Sequence, residues 1–184
     1  VTKALTQWFY EGGQELYALV DAARDPQIIS YITQKQVSLH CLFDGIKKIT
    51  LAEVAPYILK TAELREHLPA FVEQAWGKSC TVIISSPQSL AQVRLQLKKN
   101  LLIQLADQGT AYFRFYDSRA LNKFFAIASV GQTEHLNGDC ITKWHWMGDT
   151  KETMNTIEST DKKILFGLAN TKSYSLHTSE YLSI

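Results

Sequence analysis

Leu16-Tyr17-Ala18-Leu19-Val20 is an unbroken apolar run ending in Asp21. A run of that length without polar alternation reads as a buried strand. A second window, Thr81-Val82-Ile83-Ile84, is β-branched at every position and suits a packed, pleated surface. Around these windows apolar residues recur three and four apart, the helical spacing. Asp25-Pro26 opens one such stretch: the carboxylate can accept from free first-turn amides, and Pro at the first helical position gives up no hydrogen bond. Ile28, Ile29 and Ile32 supply its core face. Leu64, Leu68, Phe71, Val72, Ala75 and Trp76 line a second helix, in which Pro69 predicts a kink or a division in two and Gly77 a C-cap. Ser86-Pro87 opens a third, with Ser86 as N-cap and Leu90, Val93, Leu97 and Leu101 inward. Asp117 caps a fourth, whose inner face is Leu121, Phe124, Phe125 and Ala128.

Weaker signals complete the pattern. Leu5, Trp8 and Phe9 mark a short N-terminal helix that packs back on the domain. Val37 to Phe43 reads as a strand closed by Asp44-Gly45, and Val54 to Leu59 as another, placed at an edge by Pro56. Residues 103–105 and 111–116 flank Asp107-Gln108-Gly109 as a hairpin. This alternation defines an α/β fold class: a mixed, mostly buried sheet flanked by helices, with a short irregular C-terminal extension. Helical crossovers predict parallel neighbours and hairpins antiparallel ones. The α/β lobe spans residues 1–130. Residues 131–184 form a reduced C-terminal region with a possible strand pair and a polar tail. Its strands are Ile141 to Met147, where Trp144 and Trp146 share a face opposite His145, and Ile164 to Leu168, across a polar linker from Gly148 to Lys163.

Composition narrows the function. With 46% hydrophobic and 20% charged residues, the chain can build a core. Nineteen Lys and Arg against eighteen Asp and Glu leave +1, without the basic excess of a nucleic-acid binder. No apolar run approaches the roughly 20 residues of a membrane-spanning helix, so no membrane insertion is expected. Val1 to Tyr10 does not carry a charged start followed by a secretory apolar region. Cys41, Cys80 and Cys140, without C-x-x-C spacing, predict free thiols in a reducing cytoplasm.

Motifs of catalysis are sparse. The five histidines and three cysteines lack the paired spacing of a zinc site, so neither a metal nor another cofactor is expected. Ser85-Ser86 follow a strong strand but lack the glycines of a nucleophile elbow. Arg94, Lys98 and Lys99 collect on one helix, with no acid between Glu73 and Asp107; they form a solvated face or a cationic patch for an acidic partner surface. Asp21 and Arg114 adjoin apolar runs, where a charge is costly to desolvate unless paired. Arg114 is therefore expected to bond an acid, with Asp21, Asp44 and Asp117 as candidates, in a structural ion network. The alternative is a small α/β hydrolase or phosphotransfer enzyme using the same four residues. Trp144, Trp146 and Tyr174 are candidate partner-binding aromatics, set against the usual burial of Trp in a core.

Six phrases occur in a specific order: Leu19-Val20-Asp21-Ala22-Ala23-Arg24-Asp25-Pro26, Cys41-Leu42-Phe43-Asp44-Gly45, Leu51-Ala52-Glu53-Val54-Ala55-Pro56-Tyr57-Ile58-Leu59, Trp76-Gly77-Lys78-Ser79, Ser85-Ser86-Pro87 and Phe113-Arg114-Phe115-Tyr116-Asp117-Ser118-Arg119. From Leu16 to Phe125 the chain thereby resembles the bacterial type VI secretion adaptor family, effector chaperones once described only as a domain of unknown function. The resemblance implies a cytoplasmic adaptor and not an enzyme. Its partners would be a secreted effector protein and the spike protein of the secretion needle. It also implies an α/β N-terminal lobe followed by a variable, largely helical one. Residues 131–184 depart from that plan, since they do not read as a helical bundle.

Overall fold

Both apolar runs become central strands of one sheet. The computed structural model describes residues 2–11, 15–105 and 109–159, and the backbone of 172–175. The chain begins with α1 (Thr2–Glu11), β1 (Leu16–Asp21), α2 (Pro26–Gln34), β2 (His40–Cys41), α3 (Gly45–Thr50) and β3 (Pro56–Lys60). It continues through α4 (Leu68–Ala75), β4 (Thr81–Ser85), α5 (Leu90–Lys99), β5 (Leu102–Gln104) and β6 (Thr110–Tyr112). Then follow α6 (Ser118–Ile127), α7 (Val130–Asn137), β7 (Lys143–Met147), β8 (Thr153–Glu158) and β9 (Lys172–Ser175).

The main sheet has the order β2-β3-β1-β4-β7-β8-β9, and β5 and β6 form a separate hairpin. The α/β class stands, but the expected parallel neighbours do not occur among the described strands. Every ladder is antiparallel. The reason is topological. β3 and β4 run parallel to one another, as their helical crossover dictates, but β1 lies between them and pairs antiparallel with both, Leu19 opposite Ile58 on one side and Val82 on the other.

Strand periodicity distributes the core to two faces. Leu16, Ala18 and Val20 pack with Ile28, Ile32 and Phe71, under α1, α2 and α4. Tyr17 and Leu19 pack with Val93, Leu97, Leu121 and Trp144, under α5 and α6. By the same alternation Asp21 belongs to the second face. β1 and β4 are buried at every position, as their unbroken apolar character requires.

Local chemistry explains most boundaries. Asp25 caps α2 by accepting from the Gln27 amide, with Pro26 in the first turn. The helix around Pro69 is divided as expected, with 3-10 segments Thr61–His67 and Trp76–Lys78 on either side of α4 and Arg65 at positive φ (46°) breaking the first. Three expectations are corrected. Pro56 starts β3 one strand in from the edge, where a missing N–H is still tolerated because it is the strand's first residue. Ser79, at φ 55°, ends the helix in place of Gly77. Ser89, in a reciprocal capping box with Gln92, caps α5 in place of Ser86. The span from Val37 to Phe43 yields only the two residues of β2.

Residue 130 does not interrupt the sheet. β7 pairs with β4, placing Trp146 opposite Val82, and β8 pairs with β7. β8 falls inside the span read as a polar linker, and Ile164 to Leu168 lies outside the described residues.

Candidate functional site

Asp21 ends β1 with its side chain wholly buried. Its Oδ1 accepts from the Ala23 amide at 3.1 Å, and its Oδ2 accepts from Arg114 Nη2. Arg114 lies between β6 and α6, in a run where Phe115 and Tyr116 are buried. Its side chain keeps 43% of its surface in water. The guanidinium carbon sits 5.9 Å from the centre of the Tyr116 ring. Asp117, three residues on, caps α6; its Oδ1 accepts from the Arg119 amide and Nε, both at 3.0 Å, and its Oδ2 from Arg119 Nη2 at 2.6 Å. Arg114 Nη2 lies 3.9 Å from the same Oδ2. Burial alone would raise the Asp117 carboxyl, but the Arg119 bonds and the Arg114 charge outweigh it and hold the group below its ordinary value. Burial, with the Asp21 charge adding, pushes the Tyr116 phenol up to about 12.

The cluster therefore joins the end of the first strand to the start of α6, and each oxygen of both carboxylates accepts a hydrogen bond inside the protein. A neighbouring pair, Lys78 with the mostly buried Asp25, closes the same end of the sheet, while Arg24 Nε donates to the Lys78 carbonyl at 3.3 Å. Two hollows lie elsewhere. One, of about 310 Å³, is lined by Lys3, Thr6, Gln7, Tyr10 and Pro69. The other, of about 410 Å³, is lined by polar side chains including Gln36 and Arg65, both at positive φ.

The expected bond from Arg114 thus forms with Asp21, with Asp117 alongside. Asp44 is a correction: it lies apart from this cluster, at the start of α3, and accepts from Arg94 Nη2 at 3.1 Å and from Lys98 Nζ. The Lys98 bond, the largest influence, outweighs desolvation and, with the Arg94 bond adding, holds its carboxyl below the usual value. Arg94 also donates through Nε to the Cys41 carbonyl at 2.8 Å. Two of the three helix cations therefore share one acid 50 or more positions upstream; Lys99 remains exposed. Trp144 and Trp146 are also corrected. Both are buried, their indole N–H groups donating to Asn137 Oδ1 at 2.7 Å and Asn122 Oδ1 at 3.3 Å. The backbone of Tyr174 belongs to β9, and its side chain lies outside the described residues.

Three groups escaped the reading of the sequence. Arg119 stands in the quoted motif, and its spacing of two from Asp117 suits a residue that folds back onto its own N-cap. Ser85, His145 and Thr156 form a buried row across β4, β7 and β8: Ser85 Oγ lies 3.0 Å from His145 Nε2, and Thr156 Oγ1 lies 2.9 Å from Nδ1. Trp8 of α1 covers the imidazole, with ring centres 4.7 Å apart. Burial, with the charge of Lys143 adding, pulls His145 down to about 3, so it is neutral.

The third is α3, a helix that buries none of its side chains. Ile46 is 75% exposed and Ile49 79%, and Leu51 and Val54 are exposed in the turn that follows. Polar bonds hold the segment instead: Asp44 to α5, Lys47 Nζ to Tyr112 Oη at 2.9 Å, and the Tyr57 hydroxyl to the Ala52 carbonyl at 2.8 Å. Ile46 and Ile49, three apart with Lys47 and Lys48 between, were the available signal of an amphipathic turn.

Among the described residues no group of three His, Cys, Asp or Glu side chains could hold a metal ion, and no helix is long and apolar enough to cross a membrane. Burial raises the Cys41 thiol above its ordinary value and the Cys80 thiol to about 12, so neither is a ready nucleophile. No curated protein and no solved structure matches the chain. A family model does match, over residues 16–135, from the first residue of β1 into α7. The span takes in the whole Asp21–Arg114–Asp117–Arg119 cluster and the α3 segment, and on that match the chain belongs to the family described as a domain of unknown function, DUF4123.

Proposed function

We propose that this protein is a cytoplasmic adaptor that binds a type VI secretion effector and helps load it onto the spike protein of the needle. The six ordered phrases of the resemblance support the reading. The observation that carries it is the segment Gly45–Val54, held in place by polar bonds while its aliphatic side chains face water. A contiguous exposed apolar surface is costly for a protein that stays alone and useful for one that docks. Asp21 and Asp117, in turn, are occupied by arginines, Arg114 tying strand to helix and Arg119 closing on its own helix cap. That arrangement suits a scaffold whose outer surface does the work.

Co-expression with the effector or spike protein encoded beside its gene tests the proposal. A stable complex on size exclusion, with the purified adaptor turning over no ester or phosphoester substrate, is the expected result. Absence of copurification with either protein counts against the reading. Hydrolysis lost on Asp21→Asn or Asp117→Asn, in variants that remain folded, favours the enzyme alternative.

A further inference from the structure

The exposed aliphatics of α3 do not stand alone. Lys47 links that helix to Tyr112 of β6, its ammonium 5.5 Å from the ring centre, and the Phe43 ring lies 5.9 Å from the same ring. Across the hairpin Tyr112 pairs with Leu102, and both are exposed. Helix and hairpin, joined by the Lys47–Tyr112 contact, each present exposed apolar side chains, Ile46 and Ile49 on the one and Tyr112 and Leu102 on the other, an interrupted apolar strip.

The charge around this strip is one-sided. Residues 43–54, 90–105 and 109–112 hold Lys47, Lys48, Arg94, Lys98 and Lys99 against Asp44 and Glu53. The excess stays positive even when Asp107, in the hairpin turn outside the described residues, is counted. The whole chain carries only +1, so outside these segments acids outnumber Lys and Arg. Asp44 is shared by two cations, while Lys48 and Lys99 are exposed.

We propose that this face docks an acidic, amphipathic segment of a partner protein. The partner's apolar side chains lie on Ile46, Ile49, Tyr112 and Leu102, and its carboxylates meet Lys48 and Lys99. Opposite charge at the rim orients the segment and speeds encounter, while the apolar strip supplies the buried area. A basic partner meets like charge at the rim and is turned away. The inference rests on the adaptor reading only for the partner's identity; the chemistry of the face comes from the residues themselves.

The test uses the full chain and two labelled amphipathic peptides of equal length, one pairing Leu with Glu and the other Leu with Lys. Fluorescence anisotropy is expected to show the Glu peptide binding at least tenfold more tightly. Ile46→Ser/Ile49→Ser should weaken that binding tenfold or more with the thermal midpoint unchanged, since both side chains are already in water. Lys48→Glu/Lys99→Glu should narrow or invert the preference between the peptides. Equal binding of the two peptides, or wild-type binding by both variants, overturns the proposal. So does a wild-type dimer in sedimentation that Ile46→Ser/Ile49→Ser converts to monomer, because the face then belongs to a second copy. The two readings fail separately. If a neighbouring effector copurifies equally with wild type and Ile46→Ser/Ile49→Ser, the docking face is wrong and the adaptor stands. If the peptides behave as expected but no effector or spike protein binds wild type, the adaptor falls and the face stands.

Discussion

Arg114 reaches a buried carboxylate while keeping part of its own guanidinium in water, so the two partners contribute unequally. Removing the arginine leaves the fully buried Asp21 carboxyl without its ionic partner, with the Ala23 amide still donating to its other oxygen. Arg114→Ala is expected to cost about 3 kcal/mol, the low end for stranding a buried charge, because the arginine is itself partly solvated. Adding Asp21→Asn removes that charge and should recover much of the loss; urea unfolding of the two single variants and the double variant measures it. His145 works in the opposite sense. Its folded value of about 3 lies below the ordinary 6.5, so the unfolded chain takes up a proton that the folded chain refuses. Stability should therefore fall as pH drops from about 6.5 toward 3, by at most about 1.4 kcal/mol per pH unit from this group. His145→Gln should flatten the profile between pH 6.5 and 5, above the range where carboxylates dominate. An unchanged slope in urea midpoints would contradict the burial of the imidazole. Of these two sites the first was legible, because a charge within Phe113-Arg114-Phe115 must find an acid. The acid for Arg94 was not, since the exposed Asp44 is under no such compulsion.

Elements with a core stripe declared themselves, and those without one did not. α2, α4, α5 and α6 repeat apolar residues at helical spacing and lie where that spacing puts them. α3 has no buried side chain, and its one apolar pair, Ile46 and Ile49, is too short to read as a core stripe. β8 reads Thr-Met-Asn-Thr-Ile-Glu, and its mixture of amide and hydroxyl side chains conceals a strand whose Met154, Thr156 and Ile157 are buried. The start of α5 shows a finer limit. Ser86 stands before Pro87 as a cap should, yet its hydroxyl donates to the Cys140 carbonyl at 2.6 Å and accepts from the Gln88 amide at 3.0 Å. It fastens the exit of β4 to the approach of β7, and the capping falls to Ser89. Ser89→Ala is accordingly expected to cost about 1 kcal/mol in chemical denaturation, with α5 as the element weakened.

At the scale of the molecule, the sheet makes residues before and after 130 interdependent. Trp144, Trp146, Leu136 and Ile157 complete the same core as Tyr17, Val82 and Leu97. Tryptophan fluorescence and far-ultraviolet circular dichroism are expected to report one coincident unfolding transition, and a chain ending at residue 130 should lose cooperative unfolding. Separate transitions would show that the C-terminal strands form a unit of their own. The topology also bears on how the chain meets water while it is being made. Thr81–Ser85 leaves the ribosome with one flank already matched to Leu16–Asp21, and its other flank waits for Lys143–Met147. Until those residues emerge, a bare and strongly apolar β edge faces a crowded cell, a site for illicit pairing with other nascent chains. Slow translation of the intervening stretch should therefore lower the yield of soluble protein, even though the finished fold leaves neither flank of that strand bare.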